Sequence, residues 1–95
     1  MIPRKAKRDI SESEIVKALR KAGAFVYLMD HPVDLLCGIA GKTILFEVKT
    51  PGTQRGKTLT PAQKDFMANW RGSTIFIVKT PEEALGWLNV VRRAA

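Results

Sequence analysis

Three charged side chains interrupt a stretch that otherwise reads as a pair of buried strands. Val33 to Lys49 runs VDLLCGIAGKTILFEVK, and its charges that could do chemistry are Asp34, Glu47 and Lys49. Carboxylate oxygens suit a hard divalent cation such as Mg²⁺, which typically takes one or two carboxylates and leaves its other positions to water and phosphate. An ammonium two residues along can orient or deprotonate an attacking water and offset charge developing on a phosphoryl group. No Cys or His cluster offers a soft-metal site, which argues against zinc. The competing reading is a cross-strand ion pair between Asp34 and Lys49, worth roughly 0.2–1 kcal/mol. On these residues alone both readings stand.

Bringing the three together requires a particular hairpin. Strand side chains alternate between faces, so Glu47 and Lys49 share one, while Ile44, Phe46 and Val48 take the other. A two-residue loop at Ala40-Gly41 or at Gly41-Lys42 sets Asp34 across from Glu47 or from Lys49. Either register collects all three charges on one face. A three-residue loop without a bulge would undo it.

The flanking elements follow from local signals. Residues 1–9 hold four basic side chains without apolar periodicity and read as a flexible arm. Ser11 and Glu14 fit a capping box for a first helix, with Ile15, Val16, Leu19 and Ala22 at helical spacing and Gly23 closing it. Glu12 projects along that inward stripe, which sets it apart from Glu14; a carboxylate favoured by the helix dipole is its simpler explanation. Ala24 to Met29 is a half-buried strand broken by Asp30-His31-Pro32, and His31 reads as a solvated loop residue. Thr50 to Thr58 is a mobile loop. Thr60-Pro61 with Gln63 at N3 starts a second helix that runs to about Trp70 and stops at Gly72. Thr74 to Val78 has the continuous apolar character of a strand buried on both faces and paired in parallel. Thr80-Pro81 opens a last helix through Trp87 and Val91, ending on Arg92 and Arg93. The helix at 61–70 supplies the crossover that a parallel strand after a hairpin needs, so the α-β-β-β-α-β-α order predicts a four-stranded mixed α/β sheet flanked by helices. A helix is expected over Leu36 and Leu45, on the charged side.

Ninety-five residues make one domain, and a hydrophobic fraction of 45% is enough for a core. The single cysteine, Cys37, excludes an internal disulfide and reads as a small buried hydrophobe. No apolar run is long enough to span a bilayer and no signal-peptide core is present, so a cytoplasmic protein is expected, with no membrane partner. Sixteen Lys and Arg against nine acids give a formal charge of +7, which favours a polyanionic partner without saying which.

A helix glutamate, then Asp34, then Glu47-Val48-Lys49 one strand later, followed by Leu59-Thr60-Pro61-Ala62-Gln63, resembles the PD-(D/E)xK nuclease superfamily. Within it the chain is most similar to the virus-type replication-repair (VRR-NUC) nucleases, and next to the archaeal Holliday junction resolvases. The pattern spans Ser11 to about Leu88. The resemblance implies a restriction-endonuclease-like αβββαβα core and Mg²⁺, with Mn²⁺ as substitute, held by Asp34 and Glu47. It further implies the Val48 carbonyl as a further ligand and Glu12 completing or supporting the site. Lys49 would act on the water or the transition state, and Gln63 resembles a glutamine near the active site of VRR-NUC proteins. One departure is Val33, which separates Pro32 from Asp34 where the family often has Pro directly before the Asp. The implied activity is that of a metal-dependent endonuclease on branched DNA, four-way junctions first, working as a homodimer in a bacterial or phage-infected cell. A flap or nicking nuclease and a non-catalytic basic DNA-binding module are the alternatives. The apolar positions Ala84, Leu85, Trp87, Leu88, Val90 and Val91 make the last helix a candidate dimer surface or simply a well-buried one.

Overall fold

The computed structural model describes residues 10–29, 31–49 and 59–94; the expected basic arm at 1–9 and mobile loop at 50–58 lie outside the described residues. The elements are α1 (Ile10–Lys21), β1 (Phe25–Leu28), β2 (Leu35–Ile39), β3 (Lys42–Val48), α2 (Pro61–Asn69), β4 (Ile75–Val78) and α3 (Pro81–Arg93). The strands form one mixed sheet in the order β1-β2-β3-β4, antiparallel up to β3 and parallel between β3 and β4. Both the element order and the mixed sheet are those expected from the sequence.

The hairpin turn is Ala40-Gly41. Both residues have positive φ, 52° and 76°, as the primed two-residue turns require. Glycine adopts this freely and Ala40 does so against its own preference. The register pairs Ile39 with Lys42, Cys37 with Ile44 and Leu35 with Phe46. Ile44, Phe46 and Val48 therefore face the core with Leu35 and Cys37, under Ile15, Val16 and Leu19 of α1 and Ala84 and Leu88 of α3. These two helices pack side by side on that one face of the sheet.

Helix ends are set by backbone chemistry. α1 closes in a Schellman arrangement, with Ala24 N donating to the Leu19 carbonyl, Gly23 N donating to that of Arg20, and Gly23 at φ 102°. It starts at Ile10, so Ser11 lies inside the helix and is not its N-cap. A capping signature placed two residues late is within the usual scale of error at a helix end. Thr80 caps α3 by accepting from Glu83 N. At the other end of α3, Lys42 Nζ donates to the carbonyls of Arg92 and Ala94, which ties the hairpin turn to the helix terminus.

Three expectations are corrected. β4 is not buried on both faces: it is an edge strand, with Val78 buried, Ile75 and Phe76 half-buried and Ile77 46% exposed. α2 does not form a full cover over the second face, since none of its residues is buried. Leu45 is buried there and Leu36 is half-buried, but Phe25 and Tyr27 on β1 stand well exposed. Finally, α2 ends at Asn69 with an extended Trp70 as C-cap, so Gly72 is not the stop.

Cys37 is buried as expected, and burial pushes its thiol up to about 12, with the Arg20 charge opposing this weakly. Thiolate is the reactive form, so at pH 8 the native thiol is expected to react with a disulfide reagent at least about 10²-fold more slowly than in denaturant. Absorbance of the released thiolate with and without urea measures it. Comparable rates would mean that β2 opens readily.

Candidate metal and hydrolytic site

The hairpin register carries the site. Continuing one residue past Leu35 and Phe46 sets Asp34 opposite Glu47. Both are buried, at 7% and 3% exposure, and Lys49 at 9% is buried with them. Asp34 precedes β2 and closes two strands at once: its backbone carbonyl accepts from Met29 N at 2.7 Å, and its Oδ2 accepts from Val48 N at 2.8 Å. The N–H and C=O of a strand residue point the same way, so the Val48 carbonyl faces the Asp34 side as well. On the other side β3 is held by Lys49 N, which donates to the Val78 carbonyl at 2.9 Å.

Glu47 uses its two oxygens unequally. Oε2 accepts from Gln63 Nε2 at 2.6 Å and pairs with Lys49 Nζ at 3.0 Å. Oε1 is buried and has no hydrogen-bond partner among the described residues. Burial and the nearby Asp34 charge raise the Glu47 pKa above its ordinary value, and Lys49 and Gln63 only partly oppose them. Two carboxylates close enough to repel, with a buried oxygen left over and a backbone carbonyl alongside, suit a hard divalent cation. The donor set is all oxygen, and it fits Mg²⁺ or Mn²⁺ with the remaining positions left to solvent.

Gln63 reaches this site because of the way α2 begins. Thr60 Oγ1 accepts from Gln63 N at 3.1 Å, and Gln63 Oε1 accepts from Thr60 N at 3.0 Å, which closes the capping box. The amide oxygen is thereby engaged and the amide nitrogen is left to donate to Glu47. Helix capping and contact with the site, two separate explanations for Gln63 at the sequence level, are satisfied by one side chain.

Glu12 is also buried, at 4%, on the inward stripe of α1. It lines a cavity of about 360 Å³ together with Ser13, Val16, Lys17, Arg20 and Leu28. Among the described residues no three Asp, Glu, His or Cys side chains gather so as to hold a metal ion, so Asp34 and Glu47 stand as a pair. His31 is exposed. Strand alternation alone does not reveal the bond from Val48 N to Asp34. Its signal is positional: Asp34 sits one residue ahead of the strand pairing, where a short acceptor side chain can replace a ladder carbonyl.

The raised Glu47 pKa has a pH consequence in metal-free protein. An unfolded glutamate ionises near 4.5, whereas the folded one keeps its proton to higher pH. The folded state thus binds more protons above 4.5, and stability from this group falls as pH rises through that window. In EDTA, the Tm of the wild type is expected to fall relative to that of Glu47→Gln as pH is raised from about 4.5 to 8. Parallel pH curves for the two proteins would refute it.

No helix among the described residues is long and apolar enough to cross a membrane. No family model matches the chain, and neither a curated protein nor a solved structure matches it.

Proposed function

We propose that this chain is a divalent-metal-dependent endonuclease that hydrolyses phosphodiester bonds in branched DNA, with a four-way junction as the first substrate. The observation that carries the proposal is the buried pair of Asp34 and Glu47, opposed across a hairpin, with the Lys49 ammonium 3.0 Å from Glu47 and one Glu47 oxygen unengaged by the described residues. Such an arrangement is costly on an apolar sheet unless a cation joins it. The +7 charge favours a polyanionic substrate, and the choice of branched DNA rests on the resemblance to VRR-NUC nucleases.

Asp34 and Glu47 would hold Mg²⁺ or Mn²⁺, with the Val48 carbonyl as a further ligand; among the described residues Glu12 does not gather with them into a three-carboxylate site. When bound, the ion supplies Lewis-acid stabilisation of charge on a phosphoryl oxygen. Lys49 would act on the attacking water or on charge developing in the transition state. Gln63 fixes the Glu47 carboxylate, so that Oε1 is the oxygen presented. Val48 N–H fixes Asp34.

The test is to incubate labelled four-way junction, flap and linear duplex with Mg²⁺, Mn²⁺ or EDTA. Metal-dependent cuts that vanish in Glu47→Ala support the enzyme, and the preferred substrate separates a junction resolvase from a flap or nicking nuclease. Retained junction binding without cleavage would instead support a basic DNA-binding module. That second reading is favoured by the pairing of Glu47 with Lys49 and by the two-carboxylate, rather than three-carboxylate, grouping among the described residues. A homodimer belongs to the same proposal. On α3, Trp87 and Val90 remain exposed one turn apart while Ala84 and Leu88 enter the core, so Val90→Glu should shift sedimentation towards the monomer.

A further inference from the structure

Beyond the hydrolytic pair, α2 ends in an aromatic group whose position the core does not require. Trp70 is 38% exposed, and the helix before it buries no residue. Exposed tryptophans usually move, yet three contacts hold this one. The Phe66 ring lies 5.3 Å away at 31°, and Nε1 donates to the Ser73 carbonyl at 2.7 Å. The third contact is with Gly72, where an added Cβ would run into the benzo ring of the indole. Glycine is needed there for space, and not to end the helix.

Trp70 is also placed relative to the site. Gln63, Phe66 and Trp70 are spaced i, i+3, i+7, which puts them on one stripe of α2. Gln63 donates to Glu47, and seven residues of helical rise set the Trp70 backbone about 10 Å along the axis from that of Gln63. Arg71, the next residue in the chain, is exposed and cationic, and its guanidinium donates to the Asn69 carbonyl. A fixed, partly exposed indole followed by a cation is what a single-stranded polyanion with stacking bases would meet favourably.

We propose that Trp70 is a stacking shelf for an unpaired nucleobase of the bound strand, held by Phe66 and Gly72, and that it directs the protein towards DNA with single-stranded or branch-point bases. The shelf rests on the nucleic-acid reading above and adds to it the feature of the substrate that is recognised. It predicts a contact with bases rather than with phosphate alone, and hence a preference that charge cannot produce.

The test uses the full chain in EDTA, where cleavage does not interfere. With Trp87→Phe as background, Trp70 is the only tryptophan, and its emission is titrated with a 16-nucleotide oligothymidylate and with a blunt duplex of equal length at the same salt. Strong quenching by the single strand and little by the duplex is expected. Trp70→Ala should weaken single-strand binding by about 5- to 100-fold, Trp70→Phe should restore most of it, and Gly72→Ala, which displaces the indole, should weaken it as well. Equal quenching by duplex and single strand, or unchanged affinity in Trp70→Ala, would overturn the shelf and leave Trp70 a local cap; junction cleavage by the wild type would still stand. Quenching and the Trp70→Ala loss without any metal-dependent cleavage would support the shelf while removing the nuclease.

Discussion

Asp34→Asn and Asp34→Ala are both expected to lose Mg²⁺-dependent cleavage of a four-way junction by about 10³-fold or more, while only the alanine variant loses appreciable stability. The two substitutions separate the jobs this side chain does. Its Oδ2 accepts from Val48 N, a buried backbone donor in the centre of the sheet. Asparagine keeps an oxygen at that place, so the bond survives. Alanine leaves the N–H unsatisfied at a cost of about 1–3 kcal/mol, visible as a lower urea midpoint. Charge is the other job, and both variants remove it. Burial is the larger cause of the raised Glu47 pKa and Asp34 repulsion the next; each variant relieves the repulsion, so an alternative in which Asp34 merely tunes Glu47 predicts a shifted pH profile with activity retained. An asparagine variant that cleaves like the wild type would reduce Asp34 to a structural acceptor and take the proposed metal pair with it.

Much of this site is legible in the amino-acid sequence because strand chemistry is local. The Ala40-Gly41 loop length fixes which residues oppose each other, and alternation then assigns every side chain from Asp34 to Lys49 to a face. The Thr60 to Gln63 capping box is equally plain, since both of its bonds lie within four residues. What the sequence does not disclose depends on contacts between distant elements. TIFIV reads as a strand buried twice over, but burial is decided by what covers it, and α2 leaves Ile77 in solvent. Gly72 reads as a helix stop, whereas the backbone already turns extended at Trp70 and the glycine makes room for an indole. Spacing places Glu12 on the inward stripe of α1, and it is buried there. Spacing on a helix says nothing about how far that stripe lies from a hairpin end.

The core beneath the site is where a single substitution has the largest effect on stability. Phe46 is fully buried on the central strand β3, against α1 and α3, with the Phe76 ring 6.0 Å away in a tilted arrangement. Phe46→Ala removes a ring from the middle of a close-packed face and is expected to cost about 3–5 kcal/mol. A chain of this size has a total stability of about 5–14 kcal/mol, so the variant should be marginal or unfolded at 37 °C. Phe25→Ala is the control: the same ring, on the edge strand β1, is 74% exposed, and its removal should change stability by less than about 0.5 kcal/mol. Because Glu47 sits between Phe46 and Val48 on one strand, Phe46→Ala should lose cleavage as its folded fraction falls, whereas Phe25→Ala should keep it. Urea melts followed by circular dichroism compare the two. Similar losses in both would mean that the sheet buries its other face, and the convergence of Asp34, Glu47 and Lys49 away from the core would no longer follow from the register.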